Sequence, residues 1–231
     1  QMEEVVRTAL DAGYRAFDTA YFYGNEKALG SALKHSNVER DELFITSKLW
    51  NDYQGYDQTI EYFNKSLDNL GLDYLDLFLI HWPCENDQLY IESYKALEHL
   101  YEEGKIKAIG VCNFKIHHLE KLMKETKITP QVNQIELHPY FNQQDVQDFC
   151  DEHDIKVTAW MPLMRNKGLL DDPVITDIAH RYDKTPAQIV LRWHLAHNRI
   201  IIPKSQTPKR IKENFDIFDF NLELTDVAEI D

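Results

Sequence analysis

The chain has 231 residues, 43% of them hydrophobic and 12% aromatic, with a formal net charge of −14. That composition predicts a folded protein with a substantial core, and it excludes a disordered chain. The acidic balance argues against nucleic acid and anionic membrane surfaces as partners, because both need basic patches.

No apolar run approaches the ~20 residues of a membrane span. The cysteines, Cys84, Cys112 and Cys150, are odd in number and outside any CxxC pattern, which predicts a cytoplasmic setting without a disulfide framework. From the N-terminus, a helix face at Glu3–Asp11 is followed by strand-like runs at 14–20, 42–48, 75–81, 106–112, 131–137, 155–161 and 199–203, with helical patterns between them. One such pattern is Glu92–Glu103, closed by Gly104. Asp172-Pro173, Thr185-Pro186 and Thr207-Pro208 read as helix starts, a cap followed by proline at the first position. Runs such as Leu77-Phe-Leu-Ile80 are apolar throughout, as expected for strands covered on both faces. No linker or low-complexity stretch divides the chain, so a single domain over 1–231 is expected.

Repeated βα units fit either a doubly wound sheet or a parallel barrel. Polar residues end nearly every strand, from Asp18 to Lys204, and this favours a (β/α)8 TIM barrel. A barrel of that kind needs eight strands and the pattern supplies seven. The chain opens in a helix that should follow a strand and closes at Leu224–Asp231 in the first turns of another. The expectation is a barrel whose first strand and C-terminal tail lie outside this chain.

Three of the strand ends carry chemistry. Asp18 and Tyr23 follow the first run, Lys48 the second and His81 the third. Taken singly, each has an ordinary structural role as packing, ion pair or strand terminus. Parallel neighbouring strands would bring all four to one face. A phenol with a pKa near ~10 is a poor acid at neutral pH, and a nearby ammonium should lower that value. The carboxylate would hold the lysine charged, and the imidazole could orient a carbonyl. The set suits proton donation to an oxygen that is gaining negative charge.

A dinucleotide fold of the GxGxxG kind is unsupported, since no such motif occurs among the 8 glycines. Instead Lys204-Ser-Gln-Thr-Pro-Lys-Arg-Ile-Lys212 holds four cations and no acid at the start of a helix, a natural phosphate site. His117-His118 are adjacent on a helix and should not face the same way, so no metal site is expected there. His138, before Pro139, is expected to make structural hydrogen bonds. Nothing near Cys84 argues for a reactive thiol.

Several segments together resemble the aldo-keto reductases. They are Gly13-Tyr-Arg-Ala-Phe-Asp-Thr-Ala20 with Tyr23-Gly-Asn-Glu26, Thr46-Ser-Lys-Leu-Trp-Asn51, Asp76-Leu-Phe-Leu-Ile-His-Trp-Pro83, Val132-Asn-Gln-Ile-Glu-Leu-His-Pro139 and Ile202-Pro-Lys-Ser205. The resemblance implies a monomeric NADP(H)-dependent barrel enzyme, without metal, that reduces aldehydes or ketones. It implies Tyr23 as general acid, Lys48 and Asp18 as its tuning pair, and His81 as the group directing the carbonyl. For NADPH it implies Asn113 and Gln134 on the nicotinamide carboxamide and Trp160 stacked on the ring, with Met161 and Leu163 beside it. Lys204, Ser205 and Arg210 would take the 2′-phosphate, and Glu213 and Asn214 the adenine. Trp50 and Trp82, with His81, would line the substrate pocket.

Two positions depart from the family pattern. Cys112 stands where serine is usual, and Met161 where serine or glycine is often found. Two rival readings are a lyase using Lys48 as a Schiff base, disfavoured because Asp18 should keep the amine charged, and a cofactor-binding structural or regulatory subunit.

Overall fold

The computed structural model describes all 231 residues. The elements alternate as the hydrophobic pattern predicts. Helix α1 (Met2–Ala12) is followed by β1 (Ala16–Asp18), α2 (Glu26–Lys34), β2 (Phe44–Leu49), α3 (Tyr56–Leu70) and β3 (Leu75–Ile80). Then come α4 (Asp87–Glu102), β4 (Ile106–Cys112), α5 (Ile116–Glu125), β5 (Val132–Glu136), α6 (Gln144–Glu152) and β6 (Lys156–Trp160). The chain closes with α7 (Pro173–Tyr182), α8 (Pro186–Ala196), β7 (Ile200–Ile201), α9 (Pro208–Phe215) and α10 (Leu224–Ile230).

The seven strands form one parallel sheet in sequence order. The first and last are much shorter than their hydrophobic runs. Each has a neighbour on one side only, so less of its length is held by ladder bonds. Helix α4 begins five residues before the expected Glu92, because the Asn86 side chain accepts from the Gln88 N–H at 3.0 Å and caps the turn. Gly104 lies in the left-handed region (φ 77°) just beyond its end. The three proline-marked helix starts are all present, and Asp172 and Thr185 cap them with their side chains, whereas Thr207 does not.

The sheet is curled. Strands four places apart in a flat sheet would lie about 19 Å from each other at about 4.8 Å per step. Yet Gln134 on β5 donates to Asp18 on β1 at 3.0 Å. The curl creates an inside and an outside, and strand residues sort between them with period two. On β3, Phe78 and Ile80 join the large core that includes buried helix residues, whereas Leu77 and Leu79 join a small separate cluster with Cys112 and Val132. The strands are close enough at Gly110 that an added Cβ would meet the Val132 carbonyl oxygen at 2.4 Å. No helix is long and apolar enough to cross a membrane.

Candidate active site

All four expected proton-transfer residues sit at the same ends of neighbouring strands. Asp18 is the last residue of β1, Lys48 lies near the end of β2, and His81 directly follows β3. Between β1 and α2 the chain makes a 3-10 turn, Tyr21–Tyr23, closed by Gly24 in the left-handed conformation (φ 69°). That turn brings Tyr23 back over the strand ends.

Lys48 is 1% exposed, a burial that lysine tolerates only when paired. Its ammonium is ion-paired with the Asp18 carboxylate and donates to the Thr19 carbonyl at 2.9 Å. The second Asp18 oxygen accepts from Gln134 Nε2 at 3.0 Å. Burial opposes the lysine charge, but Asp18, with Cys112 and Tyr23, carries its pKa up to about 12. The amine is therefore a fixed cation, unsuited to Schiff-base chemistry.

Tyr23 lies over this cation, with Lys48 Nζ 5.2 Å from the ring centroid. Its ring meets that of His81 edge-on at 5.7 Å. The net shift of the phenol corrects the sequence expectation. Burial raises the pKa; Lys48 lowers it by charge and hydrogen bonding, while Asp18 and Cys112 raise it, and the balance is upward. The desolvation that comes with the close packing outweighs the ammonium. A raised pKa keeps the phenol protonated, the form needed in an acid. His81 is pushed down to about 3, by burial first and then by Lys48, so it is a neutral imidazole. Its Nδ1 is buried and has no partner within the chain.

Asn113, next in line after β4, joins the site through its side chain. It has φ 62°, donates from Nδ2 to the His81 carbonyl at 3.0 Å, and accepts from the Trp160 indole N–H at 2.8 Å. Gln134, Asn113 and Trp160 are thus assembled around the same end of the sheet. Met161 follows with φ 50°, and Leu163 is a half-buried residue packed on the core. Farther along, Lys204 and Arg210 are exposed and ion-paired to nothing, and Ser205 Oγ accepts from the Thr207 N–H at 3.1 Å. The N-terminus of α9 has no side-chain cap, so its N–H groups and two free cations form a donor set that fits a phosphate. Glu213 is ion-paired with Lys209 at 3.8 Å, and Asn214 is buried.

Aromatic rings wall the mouth. Phe22 stacks on Trp50 with centroids 3.8 Å apart, and Trp50 meets His81 edge-on at 5.3 Å. Trp82 is 39% exposed, and its carbonyl accepts from Gln54 at 2.9 Å. Phe22 was not singled out from the sequence, although three consecutive aromatics before a glycine were a visible signal. Gln134's bond to Asp18 was also missed, because it joins residues 116 positions apart. Of three smaller expectations, one needs amendment and two hold. The His117 and His118 rings do approach, at 3.9 Å, because His118 turns back to accept from the Lys115 N–H. Burial raises the Cys84 thiol pKa, and His138 bonds Glu136 at 3.2 Å, both as expected.

A curled parallel sheet with a Tyr–Lys–Asp–His cluster at its strand ends defines a class. The aldo/keto reductase family model matches residues 1–231, and the chain belongs to that family. It is 51% identical to the glyoxal reductase of Bacillus subtilis over 228 residues, 99% of this chain and 82% of that protein. It is 50% identical to the methylglyoxal reductase DkgA of Escherichia coli over 232 residues, 99% of this chain and 84% of that protein. Among solved structures, a variant of Gox0644 in complex with NADPH superposes with a TM-score of 0.94 at 45% identity, covering 99% of this chain and 82% of that one.

Proposed function

We propose that this chain is an NADPH-dependent carbonyl reductase in which Tyr23 protonates the substrate oxygen. The observation that carries the reading is a half-exposed phenol packed between a buried, permanently charged lysine and a neutral histidine. Bound NADPH supplies the hydride; the protein supplies position and a matched proton. His81, uncharged, orients the carbonyl without competing for that proton. As Tyr23 gives up its hydrogen, the phenolate that develops is stabilised by the Lys48 ammonium, which Asp18 holds in place. Oxidation of the alcohol runs the same path backwards.

Gln134, Asn113 and Trp160 are assigned to the nicotinamide end of the cofactor, with Met161 and Leu163 beside it. Lys204, Ser205 and Arg210 are assigned to the 2′-phosphate, and Glu213 and Asn214 to the adenine. Trp50, Trp82 and Phe22 form the wall of the substrate pocket. The relatives named for glyoxal and methylglyoxal make small 2-oxoaldehydes the first substrates to assay. The intact cluster, and the relatives named as reductases, favour catalysis over a cofactor-binding structural or regulatory role.

The reading includes one further element of architecture. The exposed apolar side chain of Ile200 on β7, and the unpaired outer edges of β1 and β7, suit an eighth strand that completes a single barrel domain. A monomer in the cytoplasm fits the free cysteines. The direct test is NADPH oxidation with methylglyoxal by the parent and by Tyr23→Phe. We expect the variant to lose at least about 100-fold in kcat while binding NADPH normally. Turnover near the parent's would remove Tyr23 from the role.

A further inference from the structure

The turn that carries Tyr23 runs on into Gly24-Asn25-Glu26, and Glu26 is a carboxylate for which the proton transfer has no use. It is 2% exposed and has no cation within ion-pair distance. A carboxyl group so placed is costly unless its hydrogen bonds are made. They are fixed by the strand behind the active site and by the next helix. Glu26 accepts from the Ser47 hydroxyl at 2.6 Å and from Asn69 Nδ2 on α3 at 3.2 Å. Ser47 is itself fully buried and directly precedes Lys48. Side chains alternate along a strand, so Ser47 faces outward toward the helices while Lys48 faces inward toward Asp18. One residue upstream, Asn25 accepts from the Thr19 hydroxyl at 2.6 Å, and Thr19 directly follows Asp18. The loop beyond Tyr23 is thereby fastened twice, to the strand end that bears Asp18 and to the strand that bears Lys48.

We propose that Glu26 is a positioning residue for catalysis, fixing the distance between the Tyr23 phenol and the Lys48 ammonium through its bond to Ser47. The proposal rests on the reading of Tyr23 as the proton donor. Glu26 touches neither substrate nor cofactor. It acts by preventing the Tyr23 turn from sliding over the end of β2, and misplacement of a catalytic group by about 1 Å can cost as much as 100-fold in rate. The carboxylate suits the place because both neighbours present donors to it.

The test removes those bonds and then restores them. Glu26→Ala loses the acceptor for Ser47 and for Asn69, whereas Glu26→Gln keeps an oxygen for Ser47 and can pair with Asn69 once that amide turns over. Each protein is measured for kcat and KM with methylglyoxal, NADPH affinity by fluorescence, and melting temperature, with Tyr23→Phe run alongside. We expect Glu26→Ala to lose at least about tenfold in kcat with NADPH affinity unchanged, and Glu26→Gln to keep most of the parent's rate. Should Glu26→Ala not fold, Ser47→Ala removes the bond to β2 alone and is expected to show the same split between kcat and NADPH affinity. Unchanged kcat in the folded alanine variant would overturn the proposal, as would parallel losses in kcat and NADPH affinity. So would a Glu26→Gln variant with the parent's melting temperature and the alanine variant's kcat. If Tyr23→Phe keeps its turnover, the underlying assignment fails, and that outcome is read independently of Glu26.

Discussion

Replacing Lys48 by methionine separates the ion pair it makes in the fold from the role proposed for it, stabilising the phenolate. Methionine is also unbranched and apolar, so the main change is loss of the charge. In the parent, Lys48 is 1% exposed and the side chain of Asp18 12% exposed. The variant leaves Asp18 with Gln134 as its remaining side-chain donor. Breaking a buried pair from one side costs about 3–5 kcal/mol. At about 2–4 °C per kcal/mol for a chain of this size, the melting temperature should fall by roughly 6–20 °C. The rate carries a separate effect. A hydrogen bond or contact to a charged group is worth about 1.5–3 kcal/mol, so kcat should fall roughly 10- to 150-fold.

The double variant Lys48→Met, Asp18→Asn tells the two apart. It removes the orphaned charge while keeping an oxygen for Gln134 Nε2, so most of the stability should return. The rate should not, because the cation is still missing. Calorimetry gives the first quantity, and NADPH oxidation at saturating methylglyoxal gives the second. A double variant that regains both would refute the argument and reduce Lys48 to structural support.

Two further outcomes follow from the same geometry. Arg210→Ala should weaken NADPH binding by about 10- to 150-fold, the worth of hydrogen bonds to a charged group, and leave NADH almost unchanged; equal losses in a fluorescence titration would assign Arg210 to the fold. His81 and His194 are both held down at about 3, chiefly by burial, with Lys48 and Arg199 respectively adding to the effect. Their folded-state values lie below the unfolded one of about 6.5, so the unfolded chain takes up protons first as the pH falls. Stability is therefore present above about pH 6.5 and is lost toward pH 3, by at most about 2.7 kcal/mol per pH unit for the two together. Urea unfolding at pH 7, 6, 5 and 4 checks this, and a flat profile would contradict it.

Much of the architecture was legible because parallel strands buried on both faces leave continuous apolar runs, and nearly every one ends in a polar residue. Asp18, Lys48 and His81 could be placed on one face from that pattern alone. The lengths of β1 and β7 could not, because pairing on a single side leaves no trace in composition. The Asn86 cap was readable in principle, but the apolar period of α4 starts later than the helix does. Harder still was the sign of the Tyr23 shift. Spacing reveals that an ammonium is near, but not how much water the packing of the same ring removes. Contacts such as Gln134 with Asp18 and Glu26 with Ser47 are properties of the curl and of the helix layer, and no local pattern announces them.

The bond from Gln134 to Asp18 also selects what can rest against it. With Nε2 engaged by a carboxylate, Gln134 offers its carbonyl oxygen, which takes no hydrogen bond within the chain, to whatever enters. A ligand that meets that oxygen must bring a hydrogen to donate. A carboxamide does so, whereas the corresponding acid would present a negative oxygen to another oxygen, with the Asp18 charge just behind it. On the proposed cofactor assignment, the same carboxylate that steadies the lysine would thus favour an amide over its hydrolysis product, a chemical difference of one group on an otherwise identical ring.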